Sequence, residues 1–285
     1  MGRRVKYLRR VIQVFWAALT NGYFIGFIKG KIYTGQLKRF CVPGLNCYSC
    51  PGSLGSCPIG SLQAVLGNPD YRFSFYVTGY LILIGAFLGR LVCGFLCPFG
   101  LIQELINKIP LPFKIKGFYG DRFLRWIKYG ILTIFVILLP LFLIDIAGNG
   151  SPWFCKWICP AGTLEAGVPL LLTNPVLQES IGFLFRWKFS ILIVTILLSI
   201  VIYRPFCKYI CPLGAIYGLF NKLSIYKYNF NIKKCTHCNR CKISCPMNID
   251  PQRETNHREC IRCGICKDVC AFGAITSGFK SKNPL

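Results

Sequence analysis

Histidine and acid are the scarce residues in this chain. Of 285 residues only two are histidine, His237 and His257, and both lie near the C-terminus. No histidine is therefore available in a hydrophobic stretch to ligate a haem, which excludes a b-type cytochrome. Ten Asp+Glu stand against 34 Lys+Arg, a formal charge of +24. A Ser–His–Asp arrangement and a phosphate-binding glycine loop are both missing, which argues against hydrolase and ATPase chemistry. Helix-turn-helix, RNP and zinc-finger patterns are missing too, so the basic charge is not read as nucleic-acid binding. What the chain has in abundance is apolar residues, 53% with a mean hydropathy of +0.48, and 18 cysteines. Such a composition excludes disorder. Cysteine in repeated short spacings within a hydrophobic chain is metal-ligand usage rather than a disulfide scaffold.

Four apolar stretches, Val11–Ile28, Ser74–Val92, Ile127–Ala147 and Ile181–Tyr203, are read as membrane spans. Pro140 predicts a kink in the third, and Arg186 and Lys188 have to snorkel at the start of the fourth. The basic start "MGRRVKYLRR" has no small-residue cleavage site after it and reads as a retained anchor. Most Lys and Arg fall in segments 1–10, 89–128 and 204–285. The positive-inside rule then puts both termini in the cytoplasm of a multi-pass cell-membrane protein, although Lys29, Lys31, Lys38 and Arg39 fall outside.

An internal repeat organises these spans. Cys-Pro-x-Gly occurs four times, at Cys57, Cys97, Cys159 and Cys211, and the last three have a partner four residues earlier, Cys93, Cys155 and Cys207. Each copy reads as a turn opening a short helix, and the copies alternate outside and inside. The expected fold is an all-α membrane domain over residues 1–225, four transmembrane helices in two tandem helix-pair repeats. A small α+β ferredoxin domain of the bacterial two-cluster type follows over 226–285.

The C-terminal segment carries two C-x2-C-x2-C-x3-C runs. In the bacterial two-cluster pattern the fourth cysteine of each run ligates the other cluster. Cys235, Cys238, Cys241 and Cys270 are thus expected to hold one [4Fe–4S] cluster, and Cys260, Cys263, Cys266 and Cys245 the second. Ala271 stands where proline usually follows. In the membrane part, Cys93, Cys97, Cys207 and Cys211 follow spans ending inside and are expected to share a cluster across the repeat. The outer face offers Cys41, Cys47, Cys50, Cys57, Cys155 and Cys159. Pseudosymmetry favours Cys57, Cys155 and Cys159 with one of Cys47 or Cys50. The alternative is a cluster on Cys41, Cys47, Cys50 and Cys57, with Cys155 and Cys159 as a thiol pair or disulfide. Asp145 and Glu165 are candidates for proton chemistry, since acids in a membrane are costly.

Tandem C-x3-CP motifs in a four-span chain with such a tail resemble the membrane polyferredoxin family of NapH-, NosR- and CcoG-type proteins. The resemblance runs from about Cys41 to Ile275 and implies iron–sulfur electron transfer at a membrane. The chain departs from it by lacking the flavin-binding outer region of NosR-type members and by its extra outer cysteines. A file of clusters would move single electrons across the bilayer with no catalytic residue of its own, which makes a carrier rather than a stand-alone enzyme. Four oxidised cubanes at about −2 each would leave a charge of roughly +16. That charge suits anionic membrane lipid and an acidic cytoplasmic carrier of ferredoxin or flavodoxin type, or a redox enzyme complex. Two other functions fit the same residues. One is an oxidoreductase subunit acting on quinone, an outer metal ion or an outer redox protein; the other is a redox sensor or assembly factor.

Overall fold

A computed structural model describes residues 2–67, 74–110, 112–143, 150–179 and 181–279. Most elements are helices. A two-stranded antiparallel sheet near the C-terminus pairs β1 (Lys227–Phe230) with β2 (Ile275–Gly278), Phe230 opposite Ile275.

Two helices are long and apolar enough to cross a bilayer, Asp121–Phe142 and Phe183–Val201. Phe183–Val201 buries Leu192, Thr195 and Ser199 and exposes large apolar side chains such as Val194 and Leu197. Small and polar residues inside with bulky apolar ones outside is the arrangement that hydrocarbon solvent favours. In Asp121–Phe142 a π-helical stretch, Leu132–Leu138, precedes Pro140. Proline cannot donate an amide to the preceding turn, so the hydrogen-bond ladder shifts there. Ala147 and the end of the third stretch lie outside the described residues.

The second stretch is helical over Ser74–Leu88, short of a full crossing by length alone. The first differs from its sequence reading. Val11–Ile28 is not one helix: Gly2–Thr20 ends at Asn21 and Gly22, and a separate turn, Phe24–Lys29, closes on Gly30 in the left-handed region. Asn21 Nδ2 donates to Ala17 O at 3.1 Å, ending the ladder. This helix is amphipathic in the inverse sense. Arg9, Gln13 and Thr20 are buried, while Leu8, Val14, Phe15 and Leu19 are all more than half exposed.

Among the described residues the larger of two apolar clusters joins the helices to the cysteine-rich tail. Val92, Phe99, Phe206 and Tyr217 belong to it, and so do Met247, Ile249 and Ile261 from the cysteine-rich tail. Arg262 is buried and fixes that tail by donating to Leu88 O (2.9 Å), Asn221 O (2.8 Å) and Ser224 Oγ (2.7 Å).

Candidate metal centres

Every Cys-Pro-x-Gly copy folds the same way. The cysteine is extended, proline takes the first helical position, and a helix opens: Pro58–Leu66, Pro98–Ile106, Pro160–Gly162 with its continuation, and Pro212–Phe220. The free N–H groups of the new helix turn toward the sulfur. Gly100 N donates to Cys97 Sγ and Gly214 N to Cys211 Sγ, both at 3.4 Å. A helix N-terminus of this kind stabilises a thiolate. The partner cysteines Cys93, Cys155 and Cys207 sit on the short helices Leu91–Phe95, Trp153–Trp157 and Pro205–Tyr209.

The copies then meet in pairs. Cys211 lies within electrostatic reach of Cys207, Cys93 and Cys97. Cys159 has Cys155, Cys47 and Cys57 as its corresponding neighbours. Of the two cysteines left open by pseudosymmetry, Cys47 is the one whose sulfur lies against the third motif, 3.5 Å from where a Cβ on Gly162 would sit. Cys50 points its thiol to Asn21 Oδ1 at 3.6 Å, and Cys41 lines a separate cavity. All eighteen cysteines carry free thiols, Cys155 and Cys159 included.

Two glutamines tie each pair together. Gln63 and Gln103 each stand six residues after the Cys-Pro cysteine of their copy. Gln63 Nε2 donates to Cys155 Sγ at 3.3 Å while its Oε1 accepts from Phe154 N at 2.9 Å. Gln103 Nε2 donates to Cys207 Sγ at 3.3 Å, and its Oε1 accepts from Phe206 N at 3.2 Å. At the same position of the third copy is Glu165, whose Oε2 accepts from Cys47 N at 2.7 Å. In the fourth copy it is Tyr217, which donates to Pro43 O at 3.1 Å. Asp145, the other acid singled out, lies outside the described residues.

Two arginines, each three residues ahead of a partner cysteine, cross the Cys97 pair. Arg90 Nη2 donates to Cys207 O at 3.0 Å, and Arg204 Nη1 donates to Cys93 O. Both are fully buried and paired: Arg90 with Glu259 at 2.6 Å, Arg204 with Glu104 at 2.7 Å. Lys128 also pairs with Glu259, and Arg9 with Glu104 at 2.7 Å. Burial opposes the Glu259 charge, but Arg90 and Lys128 outweigh it and hold the carboxyl down at about 2. None of these ion pairs was read from the sequence.

The tail cysteines converge in two interleaved sets. Cys235, Cys238, Cys241 and Cys270 line one cavity; Cys245, Cys260, Cys263 and Cys266 line the other. The runs wrap alike: His237 and Arg262 just before the second cysteine, and Asn239 and Gly264 just after it, all have positive φ. Amide donors face these sulfurs as well, His237 N to Cys235 at 3.4 Å and Ala274 N to Cys270 at 3.3 Å. Burial, with Cys263 and Cys245 alongside, pushes the Cys260 thiol up to about 12. Binding a metal would displace such protons, because thiolates and not thiols are the ligands.

Among the described residues no three His, Cys, Asp or Glu side chains close on one point as single-ion ligands. Thiols grouped in fours, spaced around a small void and met by N–H donors, fit a cubane instead, whose irons each take one thiolate at a separate corner. The arrangement defines a helical iron–sulfur protein. A family of 4Fe-4S binding domains matches residues 73–117, 129–171 and 177–233, about half of the chain, and the chain belongs to it and to the membrane polyferredoxin-like proteins that share it. The uncharacterised protein MJ0750 of Methanocaldococcus jannaschii is 28% identical over 214 residues, covering 71% of this chain and 77% of its own. The ferredoxin-type protein NapH of Escherichia coli is 27% identical over 281 residues, 94% of this chain and 87% of its own. The regulatory protein NosR of Stutzerimonas stutzeri is 28% identical over 213 residues, 70% of this chain but 27% of its own. No solved structure matches the chain. Its chemistry is iron–sulfur electron transfer on [4Fe–4S] clusters.

Proposed function

We propose that the protein is a membrane conduit, relaying single electrons from a cytoplasmic donor through two ferredoxin-type clusters and two membrane clusters toward the outer face. The observation that supports this reading is the packing that links each cysteine set to the next. Cys241 and Cys266 pack in one cluster of buried residues around the Tyr228–Ile275 contact. Cys260 O accepts from Asn221 Nδ2 at 2.8 Å, and Gly94, beside Cys93, packs on the Ile261 backbone. Tyr217, on the helix that Cys211 opens, donates to Pro43 O at 3.1 Å, four residues ahead of Cys47.

In this reading the ligands are Cys235, Cys238, Cys241 and Cys270; Cys245, Cys260, Cys263 and Cys266; Cys93, Cys97, Cys207 and Cys211; and Cys47, Cys57, Cys155 and Cys159. When bound, the clusters accept and release single electrons. The chain's own residues hold the thiolates, donate N–H groups to them and exclude water. Four membrane crossings are completed by Ser74–Leu88 and by the N-terminal helix, whose charged side is turned inward on Glu104 and whose apolar side meets lipid. Both termini are cytoplasmic, where basic charge faces anionic lipid and an acidic donor.

Iron analysis of anaerobically purified full-length protein tests the reading. About sixteen iron atoms per chain are expected. Cys47→Ser removes about four of them, whereas Cys50→Ser removes none; about eight in the unaltered protein would leave only the tail clusters.

A second reading has one observation in its favour. A cavity of about 400 Å³ lies beside the Cys47 set, lined by Cys41, Lys38, Arg39, Tyr48 and Tyr76. A small acceptor such as a quinone could bind there, making the protein an oxidoreductase subunit. Turnover of a quinol analogue by the purified protein, lost in Tyr76→Ala, distinguishes the two.

A further inference from the structure

The loop ahead of the first Cys-Pro copy is where the chain departs most from a plain tandem repeat, and the structure gives it a use. Four residues before Cys57, where the other copies carry their partner cysteine, stands Ser53. Cys47 stands in its place: its sulfur lies 3.5 Å from where a Cβ on Gly162 of the third motif would sit, and Cys155 packs likewise on Gly60 of the first. To do so the segment Pro43–Cys47 enters the core: Leu45 is 2% and Asn46 0% exposed. On its way it touches the other membrane set. Gly44 packs directly on the Leu96–Cys97 backbone. At Gly44 a Cβ would fall 2.7 Å from Leu96 O and 3.0 Å from Cys97 Cα, so only glycine lets the strand lie this close. The Tyr217 hydroxyl holds Pro43 O at 3.1 Å from the far side, and Asn46 Nδ2 donates to Ser53 Oγ at 3.1 Å.

We propose that Pro43–Cys47 is an electron strap joining the two membrane clusters, an inference that rests on the conduit reading above. Gly44 packs on Cys97, a ligand of one set, and Cys47 is a ligand of the other. Three residues of chain, at most about 11 Å of backbone, separate them. Electron transfer weakens steeply with distance and is carried better by bonds and hydrogen bonds than by an equal gap. The route from Cys97 across the packed Gly44 contact, through Leu45 and Asn46, to the Cys47 sulfur contains one through-space step and is otherwise covalent. With clusters bound, a one-electron step would oxidise the centre held by Cys93, Cys97, Cys207 and Cys211 and reduce the one held by Cys47, Cys57, Cys155 and Cys159. No bond is made or broken and no proton is taken up.

The test uses the full chain in detergent, loaded with iron and reduced without oxygen. Electron paramagnetic resonance of the doubly reduced protein is expected to show spin–spin splitting between the two membrane centres. After flash reduction of the tail clusters, the signal of the Cys47-set centre should follow that of the Cys97-set centre. Gly44→Ala, which pushes the strap off Leu96, is expected to keep its iron, lose the splitting and slow that arrival. Tyr217→Phe, which frees Pro43 and leaves the ring in place, serves if Gly44→Ala does not accumulate and should shift both readouts the same way. Full iron content with two non-interacting membrane centres overturns the strap and leaves the conduit standing. Wild-type splitting and arrival in the variants that accumulate also overturn it. Iron at the tail clusters alone overturns the conduit and the strap together.

Discussion

The Cys97 set and the Cys47 set are built from the same motif, yet their surroundings differ. Around Cys97 the two halves contribute alike, two cysteines and one buried arginine each, with Arg90 and Arg204 crossing to the opposite backbone. Around Cys47 the first repeat contributes one motif cysteine and borrows another from the loop. The buried polar groups there are a carboxyl, Glu165, and one lysine, Lys38, which donates to Ser53 O at 2.8 Å, while Lys188 is half-buried beside Gly162. The motif fixes how a helix opens and where its sulfur points, while the residues flanking it set ligand source and charge. Buried cations favour the more negative, reduced state of a cluster. We therefore expect the Cys97-set centre to hold an electron more tightly than its neighbour. An inside-negative membrane potential works the other way, favouring outward electron movement by about 2.3 kcal/mol per 100 mV for a full crossing.

The largest effect expected from breaking this contrast comes from Arg204→Met. It removes a buried charge, takes a donor from Cys93 O and leaves Glu104 with Arg9 alone among its cations. Removing one partner of a buried pair costs about 3–5 kcal/mol. A thermal melt in detergent should show that loss, and a redox titration should show the Cys97-set potential falling toward that of the Cys47 set. Lys188→Met at the other set removes a charge that water already screens and should cost under about 1 kcal/mol. Equal losses in the two variants would erase the distinction.

Smaller, and symmetrical, is the effect of the glutamines. In Gln103→Glu the acceptor for Phe206 N survives while the donor to Cys207 Sγ is replaced by an oxygen; Gln63→Glu does the same for Cys155. A hydrogen bond to a charged group is worth about 1.5 kcal/mol, which for one electron is about 60 mV. Each variant should lower the potential of its own membrane centre by about that much and leave the other unmoved. If both variants move the same signal, the pairing of glutamines with sets is wrong.

How far all this could be read from the chain follows from range. Cysteine spacing is covalent and local, so both tail sets and the pairing of the even-numbered copies were open to inspection. Gln63 and Gln103 were visible in principle, because "SLQAV" and "LIQEL" align when the copies are stacked on Cys-Pro. Arg90 and Arg204 share a register in the same way. At the N-terminus hydropathy placed the helix too late, because Gly2–Thr20 is polar on the side it buries and apolar on the side it exposes, and the apolar run Val11–Ile28 is broken at Asn21 and Gly22. The choice between Cys47 and Cys50 depended on how the loop folds back past Leu96. The partners Glu104 and Glu259 reach Arg9 and Arg90 across 95 and 169 residues of chain, and no local pattern announces them.

The gentlest probe of the Cys97 side is pH. Burial disfavours charge on Glu104, but Arg204, Arg9 and the Tyr203 hydroxyl outweigh it and hold the carboxyl below the usual carboxylate range. A carboxyl with a lowered folded pKa contributes its full stabilisation above the unfolded value, and loses it as pH falls through the folded one. Glu104→Gln should therefore melt well below the unaltered protein at neutral pH, with the gap closing as pH drops under the ordinary carboxylate range. Comparing the two proteins at each pH cancels the acid lability common to their clusters. The Cys47 set has no such clamped pair among the described residues. A conservative change there, Thr163→Ser on the helix that follows Cys159, should leave the melting curve parallel to wild type across the same range. A gap between wild type and Glu104→Gln that stays constant with pH would mean that the carboxyl keeps its proton in the fold, and that the arginines beside Cys97 are balanced by something else.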